Sequence, residues 1–195
     1  MQKIDFQKFL LAVQGPLGEF TTRQKLGLEY LIGSLQDDTL MTDLRWCAYS
    51  LATSWHETGH ELMPIEEYGK GKGKPYGGLD PQTRQRYYGR GYTQNTWKSN
   101  YLMLTKAWDK ANPDKQVDFV MHPELMLIPA YSYWAMSYSM RNGTYTGVGL
   151  PKYFNADRDD PVSARKIVNG TDCAEKIAGY HKIFLKALDD NLEVK

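Results

Sequence analysis

Tyr87-Tyr88-Gly89-Arg90-Gly91-Tyr92-Thr93-Gln94 runs directly into Thr96-Trp97 and Asn100-Tyr101. Gly89 and Gly91 flank Arg90, which permits a tight backbone turn that could present Arg90 or main-chain amides. Helical spacing resumes behind it, with Trp97, Tyr101, Leu104 and Trp108 at i, i+4, i+7 and i+11. Thr96 and Asn100, four apart, are expected on one face of that helix. About thirty residues upstream stands Ser54-Trp55-His56-Glu57-Thr58-Gly59.

Outward from these motifs the chain reads as mainly helical. Phe6, Phe9, Leu10 and Val13 predict a first helix from Asp5 to Val13. Thr21-Thr22-Arg23-Gln24 fits a capping box that starts a second. A third is expected from about Leu40 to about Glu57, with Leu44, Cys47, Ala48, Leu51 and Trp55 on its apolar stripe. Glu57 falls at the end of that helix and off the stripe, where a carboxylate could face a cleft. Residues 63 to 92 form a long irregular segment rich in glycine, with room for a short hairpin; loops of this length are usually functional or disordered. Its Lys70, Lys72 and Lys74 read as a solvated loop, or as contacts to an acidic polymer. A further helix spans Pro123 to Met140, broken at Pro129 and stopped at Asn142-Gly143. Asp160-Pro161 opens a short helix ended by Gly170, and the last helix begins near Asp172. The expected fold class is mainly α, with at most a small β-hairpin region.

At 195 residues the chain is long enough for a well-buried core. Its net charge of +1 gives no global reason to expect nucleic acid or an anionic membrane as partner. Aromatic residues make up 13%, and the fourteen tyrosines offer flat faces with a polar tip, suited either to sugar rings or to core packing. Two cysteines do not make a disulfide framework, and Cys47 on an apolar stripe reads as a buried free thiol. No apolar run is long enough to span a membrane, and the N-terminal residues carry no apolar signal region.

His56-Glu57-Thr58-Gly59-His60 also spells H-E-x-x-H, which places two histidines at i and i+4 for zinc with the glutamate as base. A third ligand would be needed, and Gly59 weakens the helix that must hold the pair. The combination of His-Glu-Thr, Tyr-Tyr-Gly-Arg-Gly-x-x-Gln-x-Thr-Trp and a late Ile167-Val168-Asn169-Gly170 resembles instead the glycoside hydrolases of family 19, the chitinase-like enzymes, over about residues 47 to 185. It is most similar to the branch found as phage endolysins.

That resemblance implies an α+β lysozyme-like helical domain of two lobes with a cleft, residues 1–195 making one catalytic domain with no separate cell-wall-binding domain. It also implies an inverting two-carboxylate hydrolase needing no cofactor or metal. Glu57 would be the general acid. Pro64-Ile65-Glu66-Glu67-Tyr68-Gly69 puts Glu67 in the place of the general base, with Glu66 as the alternative, and Thr96 supplies the hydroxyl that positions water. His56, Tyr88, Arg90, Gln94, Asn100 and Asn169 would bind glycan. An Arg that pairs with the base in the family is expected at Lys176 here. A partly apolar pocket, supplied by Trp55 and the Tyr-rich loop, is expected around Glu57. The implied substrate is peptidoglycan, cut at β-1,4 bonds of N-acetylhexosamines during bacterial lysis, with chitin as the alternative. A monomer, without stable membrane insertion, would wait in the host bacterial cytoplasm for release through a membrane lesion. A non-catalytic glycan-binding module is the remaining reading.

Overall fold

The computed structural model describes residues 3–193. Six α-helices carry the fold: α1 (Phe6–Leu17), α2 (Thr22–Asp37), α3 (Leu44–Glu57), α4 (Lys98–Ala111), α5 (Pro129–Asn142) and α6 (Ala174–Asp190). The sheet among the described residues is a two-stranded antiparallel ladder, β1 (Ile65–Glu66) on β2 (Arg90–Gly91). The class is therefore mainly helical with a small sheet, as the sequence predicts. The chain divides into two compact units, residues 1–62 with 139–195, and residues 63–138.

In the first unit α3 packs against α6, and α1 packs against α6 and α2. Nine consecutive α3 residues, Cys47 to Trp55, are buried, so this helix is enclosed on every side. In contrast, α6 buries one stripe: Ile177, His181, Phe184 and Leu188. Burial pushes the Cys47 thiol up to about 12 and leaves it free, as expected of a structural cysteine. The capping box of α2 forms in full, with the Thr21 hydroxyl accepting from Gln24 N–H while Gln24 Oε1 accepts from Thr21 N–H. α1 runs past Val13 to Leu17 with Pro16 inside. A proline in the last turn forfeits only one backbone bond, which explains the longer helix. α3 starts at Leu44 rather than Leu40, because Asp43 accepts from Arg45 N–H as its N-cap.

In the second unit Tyr101, Leu104 and Trp108 of α4 pack with Tyr87, Phe119, Met126 and Ala135. Trp108 meets Phe119, Tyr131 and Trp134 edge-on. Here the sequence reading needs correction: α4 begins at Lys98, so Thr96 and Trp97 precede it, and Trp97 is 49% exposed rather than on the buried stripe. The glycine-rich segment also differs from an internal hairpin. The ladder pins its two ends, with Ile65 opposite Gly91 and Glu66 opposite Arg90. Inside it the backbone crosses itself so closely that a Cβ on Gly77 would lie 1.8 Å from the Gly71 carbonyl oxygen.

His181 is buried between Tyr49 and Phe154, at 5.7 and 5.2 Å between ring centroids. Burial above all lowers its pKa from 6.5, and His56 and His60 are lowered for the same first reason. The unfolded chain therefore binds more protons just below pH 6.5, so stability falls as pH drops from 6.5 through the depressed folded values. Thermal unfolding followed at pH 7.5, 6.5, 5.5 and 5.0 should show a falling midpoint, and His181→Gln should shallow the decline. A midpoint that rises on acidification through this range would contradict the buried neutral imidazole.

Candidate active site

Glu57, the last residue of α3, is held by Arg165 in a 3-10 turn over Ser163–Ile167. Arg165 Nη1 donates to Glu57 Oε1 at 2.5 Å. Its Nε donates to the Asp172 backbone carbonyl at 3.1 Å, and Nη2 to Asp172 Oδ2 at 3.3 Å. The Arg165 side chain is only 3% exposed, Glu57 16%. Burial alone would lower the Arg165 pKa, but Glu57 and Asp172 outweigh it and keep the guanidinium charged. One oxygen of the Glu57 carboxylate thus faces a fixed cation.

Sequence reasoning missed Arg165. Its partner lies 108 residues away, and a lone Arg between Ala164 and Lys166 carries no periodic signal. Lys176, where the resemblance places the cation that pairs with the base, lies 5.9 Å from the Tyr180 ring. A planar guanidinium can serve Glu57 and both Asp172 acceptors at once, which a lysine ammonium cannot do in the same geometry.

The turn after Glu57 is firmly built. The Thr58 hydroxyl donates to Ser54 O at 2.7 Å and accepts from Leu62 N–H at 3.0 Å. Gly59 and His60 take positive φ, 59° and 74°, so α3 does not continue through His60. The His60 ring stacks on Trp55 at 4.4 Å, Trp55 stacks on Phe20 at 5.1 Å, and Gln24 Nε2 donates to His60 O at 3.0 Å. H-E-x-x-H is therefore not carried by one continuous helix, and His60 is spent on packing. Among the described residues no three His, Cys, Asp or Glu side chains are grouped to hold a metal ion. His56 sits half-buried beside Glu57, its pKa lowered first by burial. Asn169 is exposed, and its Oδ1 accepts from Gly170 N–H at 2.9 Å.

The second unit holds the other motif residues. Glu67 extends the ladder, donating its N–H to Gly89 O at 2.7 Å. Its Oε2 accepts from Gly89 N–H at 3.0 Å and its Oε1 from Tyr76 O–H at 2.9 Å. Burial and then the bond to Glu67 push the Tyr76 phenol up. Tyr76 is a second residue that the sequence did not single out. Glu66 is placed differently. Its Oε1 accepts from Tyr88 O–H at 2.5 Å and its Oε2 pairs with Lys70 at 2.7 Å. Burial would raise this carboxyl, yet Lys70 and Tyr88 prevail and hold it below the usual range. Glu66 is thus neutralised by a cation, whereas Glu67 is oriented by neutral donors.

The remaining motif side chains brace the hairpin. Arg90 is 5% exposed, lies 3.7 Å over the Tyr88 ring, and donates Nη1 to Arg86 O at 2.9 Å and to the Tyr101 hydroxyl at 3.2 Å. Gln94 Nε2 donates to Ile65 O and Gly91 O, at 3.2 and 3.1 Å, tying β1 to β2. The Thr96 hydroxyl donates to Gln94 O at 2.8 Å, and Asn100 Nδ2 to Thr96 O at 2.8 Å. Thr96 and Asn100 are therefore linked through a backbone carbonyl rather than along a helix face.

A coupling measured between Glu57 and Arg165 tests this arrangement. In a double-mutant cycle of Glu57→Gln and Arg165→Met, unfolding free energies should be non-additive by about 1–3 kcal/mol. Additivity would mean that the pair is not formed in solution.

No protein-family model matches the chain, and no curated protein matches it significantly. Among solved structures it is similar in fold to chitinase C from Streptomyces griseus HUT6037, at 18% identity and a TM-score of 0.59, over 98% of this chain and 79% of that one. A chitinase C mutant gives a TM-score of 0.56 at 18% identity, over 98% and 95%. A bacterial family 19 chitinase gives 0.55 at 18% identity, over 98% of both chains. Over 98% of its length the chain therefore has the lysozyme-like fold of the family 19 chitinases.

Proposed function

We propose that the protein is a glycoside hydrolase that cuts β-1,4 bonds of N-acetylhexosamine glycan with inversion, Glu57 acting as general acid and Glu67 as general base. The observation that carries this reading is the Glu57 carboxylate, anchored through one oxygen by the buried Arg165 within a family 19 chitinase fold. In the proposed step Glu57 gives its proton to the glycosidic oxygen as the C1–O bond breaks. Arg165 then stabilises the carboxylate that is left. A water attacks C1 from the opposite face and passes its proton to Glu67, and solvent returns a proton to Glu57 for the next turnover.

Glu67 is preferred to Glu66 because its donors are neutral. Each carboxylate oxygen keeps a further acceptor site for the water. Thr96 fits the water-holding role: its own proton is spent on Gln94 O, so its oxygen is left to accept from water. His56, Tyr88, Arg90, Gln94, Asn100 and Asn169 are proposed to bind glycan directly or to shape the surface that does.

The proposed substrate is peptidoglycan, and the proposed setting is lysis of a bacterial host by a monomeric phage enzyme that reaches the wall through a membrane lesion. No helix among the described residues is long and apolar enough to cross a membrane. Chitin is the second reading, favoured by the solved structures of similar fold, which are chitinases.

Purified peptidoglycan and chitin digested in parallel decide between the two, by the identity of the new reducing ends. Glu57→Gln should lose at least ~10²-fold of the activity while keeping its fold. Early products followed by NMR should carry inverted anomeric configuration. Near-normal turnover by Glu57→Gln, or products of retained configuration, would sink the mechanism.

A further inference from the structure

Trp97 is a large apolar residue that the fold of its unit leaves half in solvent, at 49% exposure. Its backbone is held at φ 74°, ψ 133°, a region costly for any residue with a Cβ. It stands at the N-cap position of α4 but makes no side-chain cap bond, so capping does not account for a tryptophan there. Neither burial nor helix chemistry explains the residue.

The surroundings fix the backbone and buttress one side of the ring. Trp97 N–H donates to Tyr87 O at 2.9 Å, and Trp97 O accepts from Asn100 N–H at 3.0 Å. The next residue, Lys98, is clamped to Asp80 Oδ2 at 2.8 Å and to Gln82 Oε1 at 3.3 Å. Tyr76 meets the indole edge-to-face, centroids 5.3 Å apart and planes at 76°. That same Tyr76 donates its hydroxyl to Glu67 Oε1. A half-exposed indole on a fixed backbone, braced by Tyr76, therefore stands two contacts from the candidate base.

We propose that Trp97 is a sugar-stacking residue, its exposed indole taking the apolar face of an N-acetylhexosamine ring in the glycan that reaches Glu67. The substituents of a β-1,4-linked hexosamine project mostly around the ring edge, which leaves axial C–H groups on its faces. Those slightly positive hydrogens complement the negative face of an indole. A ring already braced on one side loses less freedom on binding. The inference rests on the glycan-hydrolase reading above, and it assigns Trp97 to substrate binding and Tyr76 to positioning, as the brace between indole and base.

Glycine relaxes at positive φ, so Trp97→Gly removes the ring without demanding a new backbone path. Binding is measured in the Glu57→Gln protein, which holds glycan without cutting it. The probes are soluble chitohexaose and glycan strands from amidase-treated peptidoglycan, titrated calorimetrically. Adding Trp97→Gly should weaken Kd at least ~10-fold for whichever probe binds, while the thermal midpoint is kept or raised. Trp97→Phe should restore most of the affinity. Unchanged affinity in Trp97→Gly overturns the stacking role and leaves the hydrolase reading standing. Loss of cooperative unfolding in that variant also overturns it, because the ring would then be a structural prop. Failure of the Glu57→Gln parent to bind either probe overturns the glycan reading and this inference together.

Discussion

A buried guanidinium sets the terms for the first unit. Arg165 is almost wholly out of water, and an unpaired charge there would cost far more than a small domain's stability margin. It must therefore be surrounded by acceptors, and the fold supplies them from two places: the end of α3 through Glu57, and the segment before α6 through Asp172. Removing either partner leaves a buried ion short of a hydrogen bond, which is why such pairs hold geometry more reliably than they add stability. α3 delivers Glu57 to the same point each time because Cys47 to Trp55 are packed on all sides.

The second unit solves a different problem. A segment rich in glycine and lysine cannot bury enough apolar surface to order itself. Its ends are instead tied by the short ladder, by Gln94 across both strands and by Arg90 beneath Tyr88. Within it, backbone approaches such as that of Gly77 to Gly71 admit no side chain. Glu67 inherits its orientation from this scaffold, through Gly89 N–H and Tyr76. Several side chains that read as sugar ligands also brace this scaffold. Arg90 Nη1 and Gln94 Nε2 donate to backbone carbonyls, so part of their effect on a bound glycan would pass through the hairpin they hold.

The aromatic residues divide in the same way. Tyr87, Tyr88, Tyr92 and Tyr101 are buried and serve packing. Trp97 stays in solvent. Composition could not separate these uses, because a flat ring suits a core as well as a sugar, and helical spacing placed Trp97 with the buried set.

The sequence by itself determined where most helices lie and some of their ends, since caps and apolar periodicity are local, although α1, α3 and α4 each have one end elsewhere than predicted. Thr21 with Gln24, the break at Pro129 and the placing of Glu57 at a helix end were all legible within a few residues. It also singled out Glu57 and Glu67 as candidate carboxylates. Only the tertiary structure decided what each carboxylate touches. Arg165 reaches Glu57 across 108 residues, and Tyr88 reaches Glu66 across 22. The same holds where local reading failed: H-E-x-x-H looks helical in sequence, yet Gly59 and His60 turn left-handed because the Trp55 ring and Gln24 hold His60 there. Charge pairing and ring stacking act between segments distant in sequence, and no window of sequence contains both partners.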